Sequence, residues 1–355
     1  MPKRFGGTLN PRLKKILNFV FIFGTLGVVL LIGVNGEEMS GAVDALKSVA
    51  PLWIALCAVA YGGYVLMDAL SVHYYLRKQG YPITVGYALY VAICGLYYSN
   101  ITPGATGGQP MQVYYLTKRN VPIGIGTSAL TVKFFSFQFM LAVYSTVLWI
   151  AYGSYVASCV GSNMWILIVG YVYNMFSVSL VVLMAINKRL VWAIIKLLVR
   201  IGAKFRLCKH PEATLTKWED VLDTFHSSVM SLREHPGELM VQLLIGGAQL
   251  IALMTVTFFI YKGFELAGAS YGQIITMAML LYVSAAYTPL PGASGAQEGV
   301  FALYFANIFP SGIRFMALLL WRFFTYYISL IIGAIVTIVK GFHPDKQKAA
   351  QDVAK

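Results

Sequence analysis

Four ionisable side chains stand inside apolar stretches of this chain: Asp68, Lys133, Glu298 and Arg322. A charge at membrane depth costs on the order of 3 kcal/mol or more, so it is kept by a partner or by a task. Lys133 follows Pro103 by 30 residues and Arg322 follows Pro291 by 31, which sets one cation at an equivalent place after each proline. Cations so placed suit a lipid phosphate, which Arg grips as a fork and Lys meets as a point charge. The acids allow a second reading, in which Glu298 pairs with Arg322 and Asp68 with Lys133 as internal glue. Both readings are open, and a site that opens when lipid arrives satisfies both. Glu298 also suits the ammonium of a cationic headgroup.

The two prolines open two copies of one stretch, Pro103-Gly104-Ala105-Thr106-Gly107-Gly108-Gln109 and Pro291-Gly292-Ala293-Ser294-Gly295-Ala296-Gln297, identical at five of seven positions. Each ends one apolar run and begins a shorter one rich in Tyr and Phe, so each reads as helix, break, helix. Irregular backbone at membrane depth leaves N–H and C=O groups that lipid cannot satisfy, and it survives where it is buried in protein or lines a wet cavity. Paired broken segments in two halves of a chain also point to a transporter's binding site. Simple kinks for close packing are the plainer reading, yet a kink needs one Gly or Pro and not a copied heptad. The exposed backbone of Gly104, Gly107, Gly108, Gly292 and Gly295 and the side chains of Thr102, Gln109, Gln138, Ser294, Gln297 and Tyr115 are therefore candidate neutral ligands. Interhelical hydrogen bonding is the competing use for the glutamines. His73 and the tyrosines near span ends read as interfacial anchors.

The elements that must position these groups follow from composition. Apolar residues make up 58% of 355 and charged residues 12%, with a mean hydropathy of +0.69, which places the chain among all-α polytopic membrane proteins. Six spans are predicted at 16–35, 51–76, 123–152, 163–186, 237–260 and 312–340, with broken hairpins at 82–117 and 271–310. With the N-terminus inside, 22 of 27 Lys and Arg fall on the cytoplasmic side and three (Lys47, Lys262, Arg314) outside. That asymmetry fixes an N-in, C-in orientation and accounts for the net charge of +13 without nucleic acid. The first hairpin then starts and ends inside and the second starts and ends outside, so both are re-entrant. Residues 1–162 and 163–340 repeat the order span, span, hairpin, span with opposite orientation, the inverted-topology repeat of many transporters. Segment 190–236 reads as a cytoplasmic amphipathic insertion on the inner leaflet, and 341–355 as a disordered tail. The first run, Leu17 to Val34, is too long for a signal sequence and is expected to stay as a span. Four scattered cysteines imply no disulfide and no metal site, and no phosphate-binding Gly-Lys loop or other cofactor motif is present.

The residues resemble a known family. Ser99-Asn100-Ile101-Thr102-Pro103-Gly104 running into Gly107-Gly108-Gln109-Pro110-Met111-Gln112-Val113-Tyr114-Tyr115-Leu116, then Pro289-Leu290-Pro291-Gly292 with Gly295 and Glu298, then Arg322, are similar to the lysylphosphatidylglycerol synthase transmembrane family, the flippase-like module of lysyl-phosphatidylglycerol producers. The resemblance covers nearly the whole chain. It implies movement of a phospholipid, lysyl-phosphatidylglycerol or a related anionic or aminoacylated lipid, between leaflets of a bacterial cell membrane. Two departures stand out: Val132-Lys133 occupies the place of an acid-Arg pair in many relatives, and the synthase's soluble domain is not among these residues. Since aminoacyl transfer needs that domain, the chain is expected not to be an enzyme. A polyprenyl-phosphate or glycolipid cargo, and a role as membrane partner of a separate lipid synthase, are the alternative readings; a second copy of the chain is a further possible partner.

Overall fold

The computed structural model describes residues 49–204, 211–286 and 288–341. The expected first span, 16–35, and the tail lie outside the described residues, apart from Gly341 at the end of the last helix. Every regular element among the described residues is helical. In chain order these are α1 (Pro51–Lys78), α2 (Val85–Asn100), α3 (Gly108–Thr117), α4 (Ile123–Ala151), α5 (Gly153–Val160), α6 (Met164–Ile186), α7 (Lys188–Lys204), α8 (Pro211–Glu234), α9 (Pro236–Gly263), α10 (Tyr271–Ala285), α11 (Ala296–Tyr304), α12 (Ser311–Arg322) and α13 (Ile328–Gly341). Five stretches are long and apolar enough to cross a membrane: 51–78, 123–151, 153–183, 236–263 and 311–338. They coincide with the five predicted spans that fall on described residues. Local signals explain the boundaries. Pro51 and Pro236 start helices where a missing N–H costs nothing, Thr84 caps α2 by accepting from Tyr87 N at 3.2 Å, and Ser270 and Gln273 cap α10 reciprocally.

The centre of the molecule is the antiparallel pair α1 and α9, the most extensive helix contact among the described residues. Its bonds run in opposite chain directions: Ala50 N to Gly263 O at 3.4 Å, Cys57 Sγ to Val256 O at 3.7 Å, Gln249 Nε2 to Asp68 Oδ1 at 3.1 Å, and Ser71 Oγ to Gln242 Oε1 at 2.6 Å. Polar pairs of this kind hold helices together where lipid supplies no hydrophobic drive for association.

Each broken segment forms a hairpin whose two ends lie together. In the first, Tyr87 near the start of α2 donates its hydroxyl to Tyr115 O near the end of α3 at 2.5 Å. The arms touch closely at Gly108, where a methyl group would lie 2.7 Å from Gly95 O. In the second, Tyr261 on the last turn of α9 accepts from Ala269 N at 2.8 Å, and its ring meets Phe309 just after α11. The first hairpin thus opens beside the C-terminal end of α1 and the second beside the C-terminal end of α9, at opposite ends of the central pair. Their tips meet: Gly104 N donates to Pro289 O at 2.9 Å. Packing is reciprocal, with α13 against α2 and α4 against α10.

Three features depart from the simple span list. A short helix, α5, and a 3-10 turn at Gly161–Asn163 join α4 to α6. The last span is interrupted by a π-helical turn, Phe323–Tyr327, directly after Arg322, the kind of local widening that recurs at functional sites. The insertion 190–236 does not only face the leaflet, because α8 packs on α4 and both α7 and α8 reach the interior cavity described below. His73 is not a free anchor; its Nδ1 lies 2.7 Å from Ile83 O, tying α1 to the approach of α2.

Candidate functional site

Both copies of Pro-Gly-Ala take the same backbone path. Gly104 and Ala105 have φ of 57° and 56°, and Gly292 and Ala293 have 59° and 48°. Two successive left-handed residues reverse the chain between arms; glycine does so freely, whereas alanine carries a strain of about 1–2 kcal/mol. The copies part at the fourth residue, where Thr106 is helical and Ser294 extended, with ψ of −20° and 142°. Thr102 closes the first break, accepting from Gly107 N at 2.8 Å while donating to Tyr98 O at 2.7 Å.

The second break is closed by Arg322, only 1% exposed. Its Nε donates to Glu298 Oε1 at 2.5 Å, Nη1 to Gln297 Oε1 at 2.6 Å, and Nη2 to Gly292 O at 3.1 Å and Ser294 Oγ at 3.4 Å. Glu298, also fully buried, turns its other oxygen to Gly295 N at 2.6 Å and so caps α11. The position that Glu298 fills in the first turn of α11 is filled in α3 by Pro110, which needs no N–H partner there. Lys133 sits elsewhere. Its ammonium donates to Asp68 Oδ2 at 2.9 Å and to Gln112 Oε1 at 3.2 Å, and not to the first break. Both pairings weighed from the sequence are therefore present, and the two cations, 30 and 31 residues after their prolines, are used differently.

Several of these groups border one cavity of about 1120 Å³, whereas Glu298 and Ser294 are not in its wall. Asp68, Lys133, Gln109, Gln138, Gly104 and Arg322 all contribute to its wall, as do Gly292 and Gln297. The first break is exposed to it at residues 104–106, whereas Pro291 and Ser294 of the second are buried. Gly107, Gly108, Gly295 and Thr102 build the breaks without lining the cavity, and Tyr115 lies in a separate packing cluster with α1, α2 and α4. Two wall residues were not singled out from sequence. Gln112, in the quoted motif, was not read as a partner for Lys133. Gln249 binds Asp68; its signal was the spacing from Gln242, seven residues apart on one helix face of an otherwise apolar span. From the insertion, Val191, Ile195, Trp218 and Phe225 supply an apolar wall. Among the described residues no group of His, Cys, Asp and Glu is arranged to hold a metal ion.

Comparison with known proteins gives the family. The family described as the lysylphosphatidylglycerol synthase TM region matches residues 16–333. The chain belongs to that family. Both breaks and all four charges inside the apolar stretches fall within the matched region. A protein described as a UPF0104 membrane protein, from Archaeoglobus fulgidus, is 23% identical over 281 residues, covering 76% of this chain and 81% of the relative. Family membership and the apolar helices together make this a multi-pass membrane protein in contact with the bilayer.

Proposed function

We propose that this member of the lysylphosphatidylglycerol synthase TM-region family moves a phospholipid between the two leaflets, as a flippase or scramblase, with lysyl-phosphatidylglycerol or a related anionic or aminoacylated phospholipid as cargo. The observation that carries this reading is the cavity itself. Two hairpins enter from opposite ends of the α1–α9 pair, their broken tips meet, and one space of about 1120 Å³ lies beside the tips, largely apolar in its walls but with Lys133, Asp68 and Arg322 among them. Broken backbone and charges at such depth are costly and are kept where they line a wet cavity or serve a task. The antiparallel run of α1 and α9, counterpart spans of the two halves, supports an inverted repeat, and the Lys/Arg distribution supports an N-in, C-in orientation in the cell membrane.

In this reading the headgroup travels through the cavity while the acyl chains stay in lipid, and the cations offset the loss of water around the phosphate. Lys133 is the cation with a donor to spare, since an ammonium has three N–H groups and two are engaged among the described residues. Arg322 keeps the second break closed. The test is leaflet exchange of labelled phospholipids in liposomes holding the purified chain, with polyprenyl-phosphate in a parallel arm. Exchange of phospholipid above protein-free liposomes is expected; exchange of polyprenyl-phosphate alone would reassign the cargo. No exchange of either would leave the chain as a non-transporting partner of a lipid synthase. Given lysyl-tRNA and phosphatidylglycerol, the same 355 residues are expected to form no lysylated lipid.

A further inference from the structure

Within the cavity, the Asp68 carboxylate holds two side chains on its two oxygens. Lys133 Nζ is on Oδ2 at 2.9 Å and Gln249 Nε2 is on Oδ1 at 3.1 Å. Because a carboxylate accepts and cannot donate, the amide of Gln249 must present its nitrogen to Asp68, which fixes the direction of its oxygen. That oxygen, Oε1, is buried on a residue only 3% exposed and has no hydrogen-bond partner among the described residues. An acceptor left bare at such depth carries a standing penalty unless a donor arrives. Beside it, across one carboxylate, the third N–H of Lys133 has no acceptor among the described residues. The subsite thus lacks one donor and one acceptor.

Charge narrows the ligand further. Asp68 and Lys133 neutralise each other, as do Glu298 and Arg322, so the described charges at the cavity sum to zero. A phosphate monoester, with about −1.5 to −2 charges at neutral pH, would bring more charge into this neutral site than one remaining N–H can offset. A phosphodiester carries one negative charge, and a headgroup with an O–H or N–H brings the donor that Gln249 lacks.

We infer that Gln249 and Lys133, both held on Asp68, form a headgroup subsite selective for phosphodiester lipids whose head carries a hydrogen-bond donor. The phosphate oxygen takes the free N–H of Lys133 and the head's hydroxyl or ammonium donates to Gln249 Oε1. This rests on the transport reading above and names its substrate class; phosphate monoesters such as polyprenyl-phosphate are disfavoured.

The experiment compares four labelled lipids in liposomes of one bulk composition: phosphatidylglycerol and phosphatidylethanolamine, which carry donors; phosphatidylcholine, which has none; and phosphatidic acid, a monoester. In the wild type the first two exchange about tenfold faster than phosphatidylcholine and phosphatidic acid, the worth of one buried hydrogen bond. In Gln249→Leu the donor-bearing lipids fall to the rate of phosphatidylcholine measured in the same variant. The ratio of lipids within one preparation is read, so a smaller folded fraction does not imitate the result. Equal rates for phosphatidylglycerol and phosphatidylcholine in the wild type, or a ratio that survives Gln249→Leu, would overturn the subsite. Should no lipid move, the transport reading fails, and thermal stabilisation in detergent decides the subsite separately. Short-chain phosphatidylglycerol, and not phosphatidylcholine, should stabilise the wild type, and Gln249→Leu should abolish the difference; equal or absent stabilisation would overturn it.

Discussion

Arg322 and Lys133 occupy equivalent places after their prolines and yet carry different duties, which mutation separates. Removing the guanidinium in Arg322→Gln leaves Glu298 fully buried with the Gly295 N–H as its remaining hydrogen bond. A buried charge stripped of its partner costs about 3–5 kcal/mol, and adding Glu298→Gln should recover much of it. Thermal unfolding of the single and double variants checks this, and lipid exchange in the double variant assigns the arginine. Recovered stability with recovered exchange makes Arg322 a tie for the second break; recovered stability without exchange makes it a ligand for phosphate. Lys133→Gln should be milder for stability, about 1–3 kcal/mol, because Asp68 keeps the Gln249 bond, but should slow lipid exchange more than Arg322→Gln with Glu298→Gln does. The charges were legible in the sequence because an ionisable residue inside an apolar run stands out whatever the fold. Gln249 was not, since a glutamine in a membrane helix is ordinary, and only its place across from Asp68 makes its bare oxygen meaningful.

At the scale of elements, the copied heptad was legible as two breaks, and two breaks with one backbone path are what formed. Local sequence governs that much, because Pro fixes φ and Gly admits the left-handed turn. Divergence after the third residue depends on what each break meets, Thr102 in one case and Arg322 with Ser294 in the other, which no local pattern encodes. The π-helical turn after Arg322 was invisible for the same reason. A prediction follows from the two glycines. Gly104→Ala faces only the left-handed conformation, since a methyl there meets nothing closer than Thr106 Cγ2 at 3.9 Å, and should cost about 1–2 kcal/mol. Gly292→Ala adds a clash, its methyl falling 2.1 Å from the ring of Tyr326, a residue 1% exposed whose hydroxyl donates to Asn100 O. Overpacking raises that cost to roughly 2–5 kcal/mol. Denaturation of the two variants side by side should rank them in that order; equal losses would mean that Tyr326 yields easily.

For the whole molecule, the distribution of Lys and Arg named an orientation, and the helix contacts constrain it independently. Lys78 at the end of α1 lies 3.4 Å from Glu238 at the start of α9, so those two ends share a side, and Lys262 at the far end of α9 must lie on the other. Lys118 belongs with Lys78: the neighbouring Arg119 rests on the ring of Tyr87 at 4.6 Å, where the first hairpin begins just after α1. Packing therefore sets Lys118 and Lys262 at opposite ends of the α1–α9 pair, and the positive-inside rule predicts that Lys118 is the cytoplasmic one. Single cysteines at the two positions, labelled in intact cells with a reagent that cannot cross the membrane, test both steps. Lys262→Cys should react from outside and Lys118→Cys only after the cells are opened. Reversed labelling would leave the fold standing and invert its orientation; labelling of both from one side would contradict the antiparallel α1–α9 pair and with it the meeting of the two hairpin tips.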